Sequence, residues 1–338
     1  MKRHSFFLAP LLLFSLASTA RAERQLWITN AYGDDVHVYA VDSWQLVRRI
    51  PVGDNPHGIS ATADGRVVHI ALEKFDKPAG ELLWLDSKDG RILHRVDVGP
   101  RPNENECTPD GRWIYVPCDD GQYWIVDGRE HRVAGKIKTG GRPHNTLVSA
   151  DGKRMYLAPM GEPKRVTIVD VDSQTVVGEI PFADSCRPPA MTKDERLFFE
   201  HVDNLVGFQV ADIGRRTVIK TVHSRIPDDK QTIPTRSHGL CVRPDQQEIW
   251  SCNVEHGIVG MHEMASGNYD EIAAVELPGK IYWVCFTPDS KYGFVSVRSV
   301  GQIAVIDCAT KKIVTMLAAG KEPKRTQVID VEMVNEKW

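Results

Sequence analysis

The stretch NTLVSADGKRMYLAPMGEPKRVTIVDVDSQTVVGEIPFA, residues 145–183, contains four short runs of strand-forming residues separated by turn residues. The runs span residues 146–149, 155–158, 166–171 and 176–180. β-branched and other aliphatic residues dominate the runs, whereas Gly, Asp, Asn and Pro fill the gaps, as strands and turns require. The stretch therefore predicts a unit of four strands.

This unit repeats along the chain with a period of about 45 residues, which two separate turn markers share. The first marker is a turn aspartate, found at Asp64, Asp110, Asp151, Asp194, Asp245 and Asp289. The second is an acidic residue in a later turn, found at Asp42, Asp86, Asp127, Asp170, Asp212, Glu263 and Asp307. Four strands per period of this length are typical of the blades of a β-propeller.

The two ends of the chain predict how the ring closes. The segment LWITN at residues 26–30 matches the second strand of a unit, and EPKRTQVI at residues 322–329 matches a first strand with nothing after it. We therefore expect one all-β domain over residues 23–338, with seven four-stranded blades. The C-terminal strand completes the N-terminal blade, which pairs edges that would otherwise be exposed. The longest spacing between markers predicts a surface loop at residues 224–236 between blades five and six.

The N-terminus has the pattern of a secretory signal peptide. MKRH is followed by an apolar run over residues 6–17 and by Ala-Arg-Ala at residues 20–22. The run is too short to span a membrane, so we expect cleavage after Ala22 and a periplasmic or secreted protein without membrane insertion. The formal net charge is −3, and acidic and basic residues are mixed along the chain. The absence of a basic stripe argues against nucleic acid as a partner. Of the seven cysteines, Cys241 and Cys252 lie near enough across a predicted hairpin for a disulfide to be one alternative.

Two segments carry a resemblance to a known family. Trp-Ile-Thr-Asn at residues 27–30 and IAVIDCATKKIV at residues 303–314 resemble the YVTN-repeat propellers, a family whose members include the periplasmic YncE-like group. The resemblance covers residues 26–331 and implies the propeller fold, but it implies no particular activity. The sequence departs from the family pattern at YVPC, residues 115–118, and FEH, residues 199–201.

One position per blade is predicted to face the propeller axis. In a propeller the first strand of each blade lies next to the axis, and its start opens on one face together with the loop between strands two and three. Ligands commonly use this axial funnel because loops from every blade converge there on a rigid scaffold. Six of these positions lie seven residues before a turn aspartate, and the seventh is the matching position near the C-terminus. We call the residues at these positions the ring residues: His57, Asn103, His144, Arg187, His238, Tyr282 and Lys324.

Neighbouring polar residues extend the predicted site. Glu104, Glu106, Glu200 and His201 add carboxylates and an imidazole at the same end, and Arg325 follows the last ring residue. Glu106 or a histidine would be the acid–base group of a reaction. The predicted ligand-binding residues are Asn103, Glu104, Arg187, His201, Tyr282, Lys324 and Arg325.

Three interpretations of the ring stay open. His57, His144 and His238 have the ligand type for a divalent transition metal of unknown identity, and the same residues would then be catalytic. Arg187, Lys324 and Arg325 instead suit a carboxylate, a uronate or a phosphate. In the third interpretation the histidines only bond to neighbouring blades and to water.

The functional prediction is an exported propeller that binds a small polar or anionic ligand in its axial funnel. If it is an enzyme, we expect a metal-assisted lyase or oxidoreductase. The alternative is a non-catalytic scaffold that docks a protein partner on its blade faces. Nucleophile-elbow, zinc-protease and phosphate-loop motifs do not occur in the sequence.

Overall fold

The structure, a computed structural model, describes residues 21–230 and 237–333. Within these residues 28 β-strands form seven sheets of four strands each. Neighbouring strands in each sheet are antiparallel, so the predicted all-β fold with seven blades is confirmed. The predicted signal peptide, residues 1–22, lies almost entirely outside the described residues.

The strands of blades one to four follow the chain. They are β1 (Arg21–Asn30), β2 (Asp35–Ala40) and β3 (Gln45–Pro51) in blade one; β4 (Pro56–Ala61), β5 (Val67–Leu72), β6 (Gly80–Asp86) and β7 (Ile92–Val98) in blade two; β8 (Glu106–Cys107), β9 (Trp113–Cys118), β10 (Gln122–Asp127) and β11 (Arg132–Lys138) in blade three; and β12 (Arg142–Val148), β13 (Arg154–Met160), β14 (Arg165–Asp170) and β15 (Thr175–Pro181) in blade four.

Blades five to seven continue the series, and the last strand returns to blade one. They contain β16 (Cys186–Met191), β17 (Leu197–Val202), β18 (Gly207–Asp212) and β19 (Thr217–His223) in blade five; β20 (Ser237–Val242), β21 (Glu248–Asn253), β22 (Ile258–Glu263) and β23 (Glu271–Glu276) in blade six; β24 (Ile281–Phe286), β25 (Tyr292–Val297), β26 (Gln302–Asp307) and β27 (Lys312–Ala318) in blade seven; and finally β28 (Pro323–Met333).

Helix is confined to two single turns of 3-10 type in the described part of the chain, Asp228–Lys230 and Arg298–Val300. The first lies in the predicted loop between blades five and six, since β19 ends at His223 and β20 begins at Ser237; residues 231–236 of that loop lie outside the described residues. Neither of these helices is long and apolar enough to cross a membrane.

The ring closes through β28, as predicted. This strand pairs antiparallel with β1, with Leu26 opposite Val328 and Trp27 opposite Gln327. Ile329 and Val331 join the buried cluster that contains Trp27. The innermost strands β4, β8, β12, β16, β20, β24 and β28 contact one another in sequence around the axis, and β28 contacts β4.

The core lies between successive blades rather than inside any one of them. One buried cluster joins Leu82 and Trp84 of blade two to Ile114 and Val116 of blade three, and corresponding clusters join the other neighbours. Alternating residues of a strand face opposite sides of its sheet, so each blade contributes to two cores. This packing gives each blade one fixed orientation about the axis.

The turn aspartates that revealed the repeat have a local structural role. Thr62 Oγ1 donates to Asp64 Oδ1 at 2.6 Å, and the same carboxylate oxygen accepts the Arg66 backbone N–H at 3.1 Å. Gly65 has φ +68°, and a Cβ there would lie 2.2 Å from the backbone oxygen of Asp330, so only glycine fits. The same side-chain contact recurs between Thr108 and Asp110, Ser149 and Asp151, Thr192 and Asp194, and Thr287 and Asp289.

All seven cysteines are free thiols. The hairpin of β20 and β21 pairs Cys241 with Trp250 and Leu240 with Ser251. Cys252 is therefore two positions away from the residue that faces Cys241, and the disulfide considered from the sequence is not formed.

Candidate functional site

β-Bulges place most of the ring residues at the axis. The register between the first and second strands shifts near the start of the first strand, which leaves the ring residue outside regular pairing. The shifts lie between Pro56 and Ile59, Arg142 and Asn145, Cys186 and Pro189, Ser237 and Leu240, and Ile281 and Val284. A bulge bends the strand and redirects a side chain. At His238 the bulge also needs the following glycine, because Gly239 has φ +75° and a Cβ there would lie 2.6 Å from the Tyr282 carbonyl oxygen.

All seven ring residues line one pocket of about 330 Å³ on the axis, which we call the axial pocket. The loops between the second and third strands supply further lining, including Tyr32, Glu73, Glu255 and Arg298. The pocket thus combines strand starts and loops from around the ring, as the repeat predicts.

His57 links two blades through both of its ring nitrogens. Its Nδ1 lies 3.1 Å from Glu73 Oε2, and its Nε2 lies 3.0 Å from the Tyr282 hydroxyl. Burial lowers the pKa of His57 to about 4, so the ring is neutral near pH 7. Burial alone would raise the pKa of Glu73, but His57, Lys324 and Arg101 together hold it below its usual value. Glu73 is therefore a carboxylate, and the single N–H of His57 points at it.

His144 and His238 are also buried and neutral, because burial lowers the pKa of each ring well below its usual value. His144 Nδ1 contacts Asn145 Oδ1. His238 stacks on Tyr282, with ring centres 3.9 Å apart and planes 24° apart. Neither ring nitrogen of His238 has a hydrogen-bond partner in the described part of the chain, although the residue is only 6% exposed.

Arg187 lines the axial pocket but is already paired. Its Nε and Nη2 donate to the two carboxylate oxygens of Asp203 at 2.7 and 2.9 Å, and its Nη1 lies 2.7 Å from Met160 Sδ. A bidentate ion pair uses the guanidinium edge that would recognise a ligand carboxylate. The predicted role of Arg187 in holding a ligand's negative charge therefore gains no support from its contacts.

Glu104 and Arg325 lie one residue beyond the ring and are buried, and neither lines the axial pocket. Arg325 Nη1 lies 2.5 Å from Glu104 Oε1, and its guanidinium carbon lies 3.8 Å from the centre of the Trp283 ring. Glu104 Oε2 accepts hydrogen bonds from Asn145 Nδ2 and from the Thr146 backbone N–H, both at 2.8 Å. These two charges are paired with each other, and this gives no support to their predicted contact with a ligand.

Glu200 and His201 were expected at the same end as the ring residues, but both lie within β17, which extends to Val202. Both side chains are fully buried in blade five. Glu200 Oε1 accepts the Arg187 backbone N–H at 2.8 Å, and His201 Nε2 lies 3.1 Å from Ser251 Oγ. Neither lines the axial pocket, since strand alternation directs them into the sheet packing.

Glu106 begins β8 and does not line the axial pocket either. Burial, and then the negative charge of Glu104, raise the pKa of Glu106 to about 8. It is therefore a neutral acid near pH 7 that would titrate just above it.

Glu106 is expected to make stability depend on pH. Because the folded chain holds this proton more tightly than the unfolded chain, whose Glu pKa is about 4.3, its contribution is complete at low pH and is lost as the pH rises to about 8. The slope is up to about 1.4 kcal/mol per pH unit. Urea unfolding of wild type and Glu106→Gln between pH 5 and pH 8 measures this. The free energy of unfolding of wild type should fall relative to that of Glu106→Gln as the pH rises from 5 to 8. A difference between the two proteins that does not change with pH would contradict the assignment.

The three ring histidines are not arranged around a common point that could hold a metal ion. Both nitrogens of His57 are in use, and Tyr282 lies against both His57 and His238. Among residues 21–230 and 237–333, no group of three or more His, Cys, Asp or Glu side chains is arranged to hold a metal ion. The geometry therefore does not fit the predicted centre of His57, His144 and His238.

The candidate residues named from the sequence did not include four charged residues that line the axial pocket: Glu73, Arg101, Glu255 and Arg298. Glu73 and Arg298 directly follow second strands, β5 and β25, so their place in the repeat could have indicated them. Arg101 lies between β7 and β8, where the repeat has no fixed position.

The fold and the axial pocket together define a seven-bladed β-propeller with a polar, histidine-lined axial site. The chain belongs to the YncE-like β-propeller family, whose family model matches residues 7–333. Comparison with curated proteins gives no significant match.

Several solved structures share the fold. The periplasmic gluconolactonase of Pseudomonas aeruginosa is 15% identical, with a TM-score of 0.76 over 91% of this chain and 99% of that one. A putative 6-phosphogluconolactonase of Bacteroides fragilis is 17% identical, with a TM-score of 0.75 over 94% and 100%. Hydrazine synthase of Kuenenia stuttgartiensis is 18% identical, with a TM-score of 0.69 over 82% and 95%. At these identities the likeness extends to the fold alone.

Proposed function

We propose that this protein binds a small polar ligand in the axial pocket, and that His238 is its main hydrogen-bonding group. One observation carries the proposal: His238 lines the pocket, is 6% exposed, and has no described partner for either ring nitrogen. A buried polar group without a partner costs about 1–3 kcal/mol, and such groups in native proteins call for an explanation. A ligand that hydrogen-bonds to His238 would remove that cost.

The character of the pocket supports a small molecule as the occupant. Its volume of about 330 Å³ is at the lower end of the usual range for such sites. Asn103 Oδ1 also lacks a partner in the described residues, and Tyr282 and Phe75 add aromatic surface. Lyase or oxidoreductase activity, export and docking of a protein partner stay predictions of the sequence.

His238→Leu is expected to weaken ligand binding about tenfold or more while changing the free energy of unfolding by only about 1 kcal/mol. The change removes two nitrogens that have no described protein partner, so no protein group loses a bond. Binding is measured by ligand-observed NMR with a library of small polar molecules, and stability by urea unfolding.

His201→Leu is the matched control, since His201 is an equally buried histidine outside the pocket. Its removal leaves Ser251 Oγ without this partner, so we expect a loss of about 1–3 kcal/mol in stability and unchanged binding. A library without hits, or hits that persist in His238→Leu, would refute the proposed function.

A further inference from the structure

Tyr282, His57 and Glu73, which all line the axial pocket, form a chain of hydrogen bonds with one fixed direction. His57 Nδ1 lies 3.1 Å from Glu73 Oε2 and 3.2 Å from Asn103 Nδ2. The Glu73 carboxylate can only accept, and a charge-assisted bond to it is the stronger of the two. His57 Nδ1 therefore donates to Glu73, and the Asn103 amide N–H donates to the other carboxylate oxygen, Oε1, at 3.4 Å. A neutral imidazole has one N–H, so Nε2 is left with a lone pair. The Tyr282 hydroxyl, 3.0 Å away, must therefore donate to Nε2. The order is Tyr282 O–H to His57, then His57 N–H to Glu73.

This direction decides what Tyr282 offers to a ligand. A phenol has one proton to donate and two lone pairs, and the proton is already used on His57. Tyr282 lines the axial pocket, so its oxygen presents only acceptor positions there. Successive hydrogen bonds polarise one another, which strengthens the oxygen as an acceptor. The complementary group on a ligand is an O–H or N–H donor.

The charges beside Tyr282 exclude a cationic donor. Lys324 Nζ lies 4.5 Å and the Arg298 guanidinium carbon 5.7 Å from the centre of the Tyr282 ring. A ligand ammonium would be repelled by both. The donor that fits is therefore neutral, and a hydroxyl is the simplest group of that kind.

Among the described residues, the ion pairs around the pocket leave one positive charge without a carboxylate of its own. Three networks are balanced: Arg187 with Asp203, Lys280 with Glu255, and Arg101 and Arg142 with Asp119 and Glu73. The fourth is not, because Arg298 and Lys324 share the single carboxylate of Glu322, at 3.3 and 3.7 Å. The Lys324 distance is too long for a normal hydrogen bond, so its ammonium has donors to offer.

We propose that the axial pocket takes a hydroxylated monocarboxylate, whose hydroxyl donates to Tyr282 and whose carboxylate pairs with Lys324. The inference rests on the proposed function and adds the ligand class. Because Lys324 lies against the Tyr282 ring, one small molecule reaches both groups. The single surplus charge matches one carboxylate rather than a dianion such as a phosphate monoester.

Three linear six-carbon probes separate the two requirements: gluconate has hydroxyls and a carboxylate, hexanoate only the carboxylate, and sorbitol only the hydroxyls. Isothermal titration with the full chain should show gluconate binding at least about tenfold more tightly than either of the others, since each of them lacks one of the two contacts. Equal affinity for gluconate and hexanoate, or for gluconate and sorbitol, overturns the inference, as does a failure of gluconate to bind.

Two conservative variants assign the contacts. Tyr282→Phe should reduce the affinity for gluconate about tenfold and leave the affinity for hexanoate unchanged. Lys324→Met should reduce the affinity for both acids and leave the affinity for sorbitol unchanged. A variant that lowers all three affinities alike would show a structural effect and count against the inference. If the NMR library instead yields His238-dependent ligands that lack a hydroxyl or a carboxylate, the proposed function stands and this inference fails. If no ligand depends on His238, the proposed function itself fails.

Discussion

Removing residues 321–338 is expected to abolish cooperative folding of the chain. The truncation deletes β28, which is the innermost strand of blade one and pairs along β1. Burial of Ile329 and Val331 contributes about 3–6 kcal/mol together, and loss of Arg325 leaves Glu104 without its charge partner at a cost of about 3–5 kcal/mol. The sum is comparable with the whole stability of a typical domain, about 5–15 kcal/mol.

The measurement is urea unfolding followed by near-UV circular dichroism. The control is a truncation that removes only residues 334–338, which leaves β28 intact and should unfold like the full chain. We expect the longer truncation to show no cooperative transition and to aggregate through the bare edge of β1. A sharp transition with an unchanged midpoint would show that closure by β28 is not needed.

Arg325→Met is expected to destabilise the folded chain by about 3–5 kcal/mol near pH 8. Arg325 is 1% exposed, and its ion pair with Glu104 is equally inaccessible to solvent. Burial raises the pKa of Glu104, and Arg325 acts in the opposite direction. Without the arginine the folded-state pKa of Glu104 rises further, so the carboxyl can take up a proton. The deficit relative to wild type should therefore shrink as the pH falls from 8 toward 5.

The control is the double variant Glu104→Gln with Arg325→Met, which removes the charge together with its partner. It should recover part of the lost stability, and the deficit that remains should no longer depend on this carboxyl. Urea unfolding at pH 5 and pH 8 measures all three proteins. Strictly additive single effects, or a deficit for Arg325→Met that does not change with pH, would contradict a coupled ion pair.

Much of the architecture could be predicted because its causes are local. Each turn aspartate accepts hydrogen bonds from the side chain two positions before it and from the backbone N–H two positions after it. A few adjacent residues therefore determine the turn. Counting from that turn also indicated the ring, since in five blades the bulge at the start of the first strand lies at a nearly constant distance from it. The same reasoning misplaced Glu200 and His201, because how far β17 extends depends on its pairing with β16 and β18.

The sequence by itself determined the repeat, the seven blades, the closing strand and the residues at the axis. Only the tertiary structure decided which of those residues are free to bind. His57 and Tyr282 are 225 positions apart and meet through space. Arg187 is occupied by Asp203, whereas Lys324 shares the Glu322 carboxylate with Arg298. Turns and strands follow from neighbours along the chain, whereas hydrogen-bond direction, burial and residual charge depend on partners that the closed ring brings together.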